Sequence, residues 1–192
     1  MKVELVDHTR DSVNKIGHYA SICYQAKTDR ESNIKRASHC VNRGHLSTLR
    51  FGYATFHVEL SRVCLAQFTR SKHLDYLVRS SRYCDEIGAD FYAPESIVMA
   101  GFGADYDRHI KESRQFYCNL RDAGITKQDA RFVLPQSQMT ELYVCGNFQA
   151  WRDFVKLRTT KAAQGEIREI ALEIQRQLQA IAPEIFNHAE NS

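Results

Sequence analysis

Residues 2–6, KVELV, alternate apolar and polar as a half-buried strand does. From Asp11 to about Tyr24 the period changes, and Val13, Ile16, Ala20 and Cys23 recur at helical spacing. Ile34, Ala37 and Val41 mark a second helix, which Gly44 stops. Residues 51–60, FGYATFHVEL, are aromatic and β-branched, with Phe56, Val58 and Leu60 alternating, which predicts a strand. Ser61 can then cap a helix that turns Cys64, Leu65 and Phe68 inward. Residues 70–83, RSKHLDYLVRSSRY, follow neither period and predict an irregular or extended segment. A long helix runs from about Asp105 to Arg121, with Tyr106, Ile110, Ser113, Tyr117 and Leu120 on one stripe, and Gly124 ends it. Thr126 and Asp129 open a short helix that Pro135 limits. A helix over roughly 147–157 turns Trp151, Phe154 and Val155 to the core, and a last amphipathic one carries Ile167, Ile170, Ala171, Ile174, Leu178 and Ile181. Mostly helix around a few strands is an α+β pattern. With three prolines, no repeat and no linker-like stretch, one domain over 1–192 is expected.

Composition narrows the chemistry. No apolar run approaches the roughly 18 residues that a membrane span needs, and MKVELVDHTRD lacks a signal-peptide core. Six cysteines without a CxxC pair, several among apolar neighbours, predict reduced core thiols in a cytoplasmic protein rather than disulfides or zinc. Eight histidines show no metal-binding spacing, so no metal site is expected. A net charge of +3 with no basic tract argues against a nucleic-acid partner.

The basic residues themselves are uneven: 17 are Arg and 9 are Lys. Codon bias and surface solubility are the ordinary explanation, but Arg is also the fork that grips phosphate and carboxylate. Three segments place it suggestively. Arg70 closes the capped helix after Gln67 and is followed by Arg79 and Arg82 around Ser80 and Ser81. In extended chain Ser80 and Arg82 would share a face, a reasonable grip for phosphate or a pyrimidine carbonyl and also a common surface pattern. Arg131 sits between Ala130 and Phe132-Val133-Leu134, where a charge needs a partner: a bound anion or an internal carboxylate. Arg158 closes the Trp151 helix, where the helix dipole alone could account for it.

Taken together these segments resemble the flavin-dependent thymidylate synthases. The family signature RHRxxSxNExSxR, followed by Tyr, is matched at Arg70, Ser80, Arg82 and Tyr83. GHLS at 44–47, ATFHVEL at 54–60, YAPE at 92–95, ARFVLP at 130–135, and Asn147 with LRTTKAAQGEIR at 157–168 are similar to further family elements in the same order. The resemblance implies helices on a small, mainly antiparallel sheet, and a homotetramer with active sites built between subunits. It also implies FAD as cofactor, dUMP as substrate, methylenetetrahydrofolate as carbon donor and NADPH as reductant. By motif position, Gln67, Arg70, Ser80, Arg82, Arg131 and Arg158 would hold dUMP. Arg158 would also activate the pyrimidine, since a cation beside its carbonyls stabilises developing charge. His45, Ser47, Arg70, Ser71, Lys72, Asn147 and Asp153 would face FAD.

Departures from the pattern gather on the cofactor side. Ser71 and Lys72 replace the motif's His and second Arg, and Asp75, Leu77 and Val78 replace its Ser, Asn and Glu. Arg50 and Phe51 stand where the family has Glu and His, and Gln149 and Asp153 where it usually has Arg and Asn. Three alternatives therefore stay open: a related flavoenzyme with different 5-substitution chemistry, an inactive nucleotide-binding paralogue, and a nucleic-acid-binding module using the same arginines.

Overall fold

A computed structural model describes residues 1–187. In chain order the elements are β1 (Lys2–His8), α1 (Ser12–Ala20), α2 (Arg30–Asn42), β2 (Tyr53–Ser61), α3 (Arg62–Phe68), β3 (Leu74–Val78), α4 (Glu95–Met99), α5 (Gly103–Asp122), α6 (Lys127–Ala130), β4 (Met139–Asn147), α7 (Phe148–Arg158), α8 (Gly165–Ile181) and α9 (Pro183–Phe186). Short 3-10 turns at Ser21–Tyr24, Leu46–Phe51 and Arg131–Val133 complete the order. The strands form one sheet in the order β1-β2-β4-β3, so helices on a small antiparallel sheet give the expected α+β class. The register shows the antiparallel sense. The His57 ring stacks on Tyr143, whereas further along β2 the Arg62 amide donates to the Gln138 carbonyl at 3.0 Å.

By internal contacts the chain groups into two units. The first holds Met1–Val58, Thr69–Tyr76 and the chain from Tyr143 onward; the second holds Glu59–Phe68 and Leu77–Leu142. In the first unit the core is aromatic. Phe56 meets Trp151 edge-on with centroids 4.9 Å apart, and Trp151 Nε1 donates to the Ala54 carbonyl at 2.9 Å, so the indole is buried without losing a hydrogen bond. Gly17 allows α1 to lie directly against α2, because a Cβ there would strike the Asn33 backbone carbonyl. Of the apolar stripe of α8, Ile167, Ile170, Ala171, Ile174 and Leu178 are fully buried as the periodicity predicts, and Ile181 at the helix end is half-buried. In the second unit Tyr117 is the buried anchor of α5, and its hydroxyl accepts from the Glu86 amide at 3.2 Å.

Several expectations are corrected. The first helix gives way to a 3-10 turn at Ser21, so Cys23 is exposed and not a core thiol; Cys40 and Cys64 are the buried ones. The irregular 70–83 segment contains strand β3, whose one buried side chain, Leu74, leaves no alternation to detect. Ser80 and Arg82 do not share the face of an extended chain. The backbone turns there, the Ser80 carbonyl accepting from the amides of Tyr83 and Cys84 at 3.1 and 2.8 Å. Thr126 sits at the N-cap of α6, but its hydroxyl donates to the Asp129 carboxylate at 2.8 Å instead of accepting a backbone N–H. The Ser61 cap is present, its hydroxyl accepting from the Cys64 amide at 3.1 Å. Among the described residues no helix is long and apolar enough to cross a membrane.

Candidate functional site

In the second unit the α6 turn and the start of β4 frame a cavity of about 290 Å³ lined by Arg62, Ser81, Arg131, Phe132, Leu134 and Gln138, among others. Arg131 enters it from the 3-10 turn after α6. Its Nε donates to the Gln128 carbonyl at 3.1 Å and its Nη1 to the Ser81 hydroxyl at 2.9 Å. It forms no ion pair among the described residues, so an internal carboxylate does not account for this charge. One backbone carbonyl and one side-chain hydroxyl hold the guanidinium in place while leaving its charge uncompensated, which suits an anionic ligand.

Behind the cavity lies Glu86, with no solvent exposure. Its Oε2 accepts from Arg79 Nη1 at 2.8 Å, and Arg62 Nη2 lies 3.8 Å from its Oε1. Burial works against the charge on Arg79, but the hydrogen bond and field of Glu86 outweigh it and raise that guanidinium's pKa. Burial lowers the pKa of Arg62, Glu86 opposes the change, and the like charges of Arg131 and Arg79 reinforce it.

The other expected nucleotide contacts do not all meet at Arg131. Arg82 lines a separate hollow of the same unit with Arg121, Lys127 and Tyr83, and its guanidinium lies 5.4 Å from the Tyr83 ring centroid. Ser80 is half-buried and its hydroxyl accepts from the Arg82 amide at 3.3 Å, so the side chain braces its own turn; its neighbour Ser81 is the one that meets Arg131. Gln67 is half-buried on α3.

In the first unit a cavity of about 360 Å³ collects Lys72, Asn147 and Asp153 with Arg50, His73, Asp75 and Gln149. Asn147 is fixed there as the N-cap of α7, its side chain accepting from the Ala150 amide at 2.9 Å. Arg50 Nε donates to Gln149 Oε1 at 2.8 Å, leaving its Nη groups to the cavity. Lys72 is exposed and forms no ion pair among the described residues. Of the remaining residues expected on the cofactor side, His45, Ser47, Arg70 and Ser71 do not line this cavity. His45, Ser47 and Arg70 are exposed, and the Ser71 carbonyl accepts from the Tyr76 hydroxyl at 2.9 Å. Tyr76 links this segment to Arg158, the last residue of α7. Burial pushes the phenol up to about 12, against the lowering field of the Arg158 cation.

Four residues of these sites escape the sequence patterns. Arg62 and Glu86 read as a helix-surface and a loop charge. Gln138 meets Arg62 across 76 positions, and His73 sits in a segment with no period. The only local signal was Ser81, adjacent to the serine that the pattern favoured.

Comparison with known proteins covers nearly all of this architecture. The family model of the thymidylate synthase complementing proteins, Thy1, matches residues 4–184. The chain is 31% identical to the probable flavin-dependent thymidylate synthase of Mycobacterium phage D29, over 94% of this chain and 85% of that one. It is 32% identical to the flavin-dependent thymidylate synthase of Mycolicibacterium gilvum over 88% and 76% of the respective chains. To the probable flavin-dependent thymidylate synthase of Mycobacterium phage L5 it is 34% identical, over 78% and 67%.

Proposed function

This chain belongs to the Thy1 family of thymidylate synthase complementing proteins, and from that premise we propose that it is a flavin-dependent thymidylate synthase. It converts dUMP to dTMP by reductive methylation, with methylenetetrahydrofolate as carbon donor and NADPH as reductant through FAD. The observation that carries this reading is the uncompensated Arg131, held by Ser81 and Gln128 on the wall of a cavity. Arg131 binds the nucleotide's phosphate there, and by motif position Gln67, Arg70, Ser80 and Arg82 are assigned to dUMP as well, although they do not line the Arg131 cavity. Arg158 stabilises negative charge on the pyrimidine carbonyls as the ring is activated; its closeness to the Tyr76 phenol supports its placement beside a polar, partly buried surface.

The donors of the first unit's cavity fit a dinucleotide cofactor. Arg50 and Lys72 offer cations suited to a diphosphate, and Asn147 is fixed at the start of α7. Lys72, Asn147 and Asp153, with His45, Ser47, Arg70 and Ser71, are the residues that would hold FAD. When bound, the reduced flavin would supply a hydride to position 6 of the pyrimidine, with the carbon unit installed at position 5. The family match runs through both units, which supports one domain over 1–192. We take the assembly to be a cytoplasmic homotetramer in which neighbouring subunits complete each active site.

The test is direct. The purified protein reconstituted with FAD should show the bands of oxidised flavin, those bands should shift on adding dUMP, and dTMP should form once methylenetetrahydrofolate and NADPH are present. Failure to take up FAD, or uptake with no conversion of dUMP, would overturn the reading.

A further inference from the structure

The cavity around Arg131 contains a donor for which the protein provides no acceptor. Gln138 is 2% exposed and lines the cavity. Its Oε1 accepts from Arg62 Nε at 3.3 Å. A guanidinium only donates, so that contact fixes the amide's orientation and makes Nε2 the atom left over. Among the described residues the buried Gln138 Nε2 has no hydrogen-bond partner, and neither does Arg62 Nη2. Buried polar atoms are nearly always satisfied; Arg62 Nη2 lies 3.8 Å from the equally unpaired Glu86 Oε1, but Gln138 Nε2 faces no such group and marks a missing acceptor on the cavity wall.

The rest of the lining has the same polarity. Arg131 can only donate, and the Ser81 hydroxyl, having accepted from Arg131, is free to turn its own hydrogen to the cavity. Glu86 is not among the lining residues, so its carboxylate faces the arginines from behind and leaves the front of the site cationic. Like-charge pressure between Arg62 and Arg131 is what an anion placed between them would relieve. Phe132, 82% exposed at the rim, and Leu134 add apolar surface beside the donors.

We propose that Arg62 and Gln138 are phosphate-binding residues that act with Arg131 on the 5′-phosphate of the pyrimidine nucleotide. They set the enzyme's preference for a nucleotide over a nucleoside. This rests on the dUMP reading above and adds two ligands that the family's motif positions do not contain. Arg62 brings a second guanidinium, Gln138 a neutral amide donor aimed by Arg62, and Glu86 holds Arg62 without consuming the front of the site.

The experiment measures affinity for dUMP and for deoxyuridine in the FAD-loaded protein and two variants, Arg62→Met and Gln138→Glu, with thermal midpoints and flavin content recorded for each. Gln138→Glu keeps an acceptor for Arg62 Nε but turns a carboxylate toward the ligand. It should retain a thermal midpoint at or above the wild type and lose dUMP affinity at least tenfold. Arg62→Met should lose dUMP affinity by about tenfold, with deoxyuridine affinity unchanged in both variants. If Gln138→Glu folds and binds dUMP as the wild type does, the proposal is wrong. Equal losses for dUMP and deoxyuridine would also overturn it, since the effect would not then lie at the phosphate. Wild-type protein that fails to bind dUMP would remove the underlying synthase reading as well, so the two failures are distinguishable.

Discussion

Arg50 donates through Nε to Gln149 Oε1 at 2.8 Å, joining the 3-10 turn Leu46–Phe51 to the first turn of α7. The two positions are those where the family pattern carries Glu and Arg. In this chain the turn donates and the helix accepts. The exchange also changes the charge of the pair from zero to one positive. Gln149→Arg alone should set two guanidiniums against each other, costing up to about 1 kcal/mol at this exposed position and weakening FAD retention. Arg50→Glu combined with Gln149→Arg should recover most of both losses. Flavin dissociation constants and thermal midpoints across this double-mutant cycle give the coupling, and a cycle that is simply additive would show the pair to be independent.

Arg131 and Ser81 allow a graded test of the nucleotide grip. Arg131→Ala removes the charge outright and should abolish measurable dUMP binding. Ser81→Ala removes only one of the two contacts that hold the guanidinium, the Gln128 carbonyl remaining at 3.1 Å. A single neutral-to-charged hydrogen bond is worth about 1.5 kcal/mol, so affinity should fall roughly tenfold. Calorimetric titration with dUMP separates the two cases. Equal losses would mean that Ser81 meets the nucleotide itself.

The helices and strand β2 were legible because most of their inward positions are apolar, although α2 also buries Asn33 and α8 buries Glu166 and Gln175. Phe56, Val58 and Leu60 in β2, and the Ile-rich stripe of α8, are all buried where period and residue type agree. Strand β4 was not legible. Its inward positions, Thr140, Leu142, Val144 and Gly146, include a hydroxyl and a glycine, and the glycine is there because Leu74 occupies the space a Cβ would take. The site divides in the same way. Arg131 stands out as a charge in an apolar run, which is a local signal. Arg62 follows the Ser61 cap and resembles any helix-surface arginine; only the fold brings it to Gln138 and Glu86.

Tyr76 predicts a component of alkaline unfolding. Burial raises its folded-state pKa to about 12, above the ordinary value of 10.0. Below pH 10 the phenol is protonated in both states and contributes no pH dependence. Between about pH 10 and 12 the unfolded chain loses the proton while the folded one keeps it, so stability falls as pH rises through that window. Tyr76→Phe should flatten the fall relative to the wild type when urea midpoints are compared across that window. Arg158→Met removes the cation that lowers this pKa and should extend the fall to higher pH. Superimposable profiles for all three proteins would place Tyr76 outside the pH response.

Glu86 is the fully buried counter-charge of Arg79, with Arg62 at ion-pair distance and Arg131 close enough to act on Arg62. Glu86→Gln keeps an acceptor oxygen for Arg79 but removes the negative charge, leaving the guanidiniums to repel one another in partial burial. Breaking a buried pair in this way costs about 3 kcal/mol, equivalent to a fall of ~6–12 °C in the thermal midpoint of a chain this size. An anion bound at the front of the cavity would replace part of the missing charge. Added dUMP should therefore raise the midpoint of Glu86→Gln by more degrees than it raises that of the wild type. Thermal scans with and without dUMP measure both effects. Identical ligand-induced shifts in the two proteins would mean that Glu86 and the nucleotide do not share one electrostatic site.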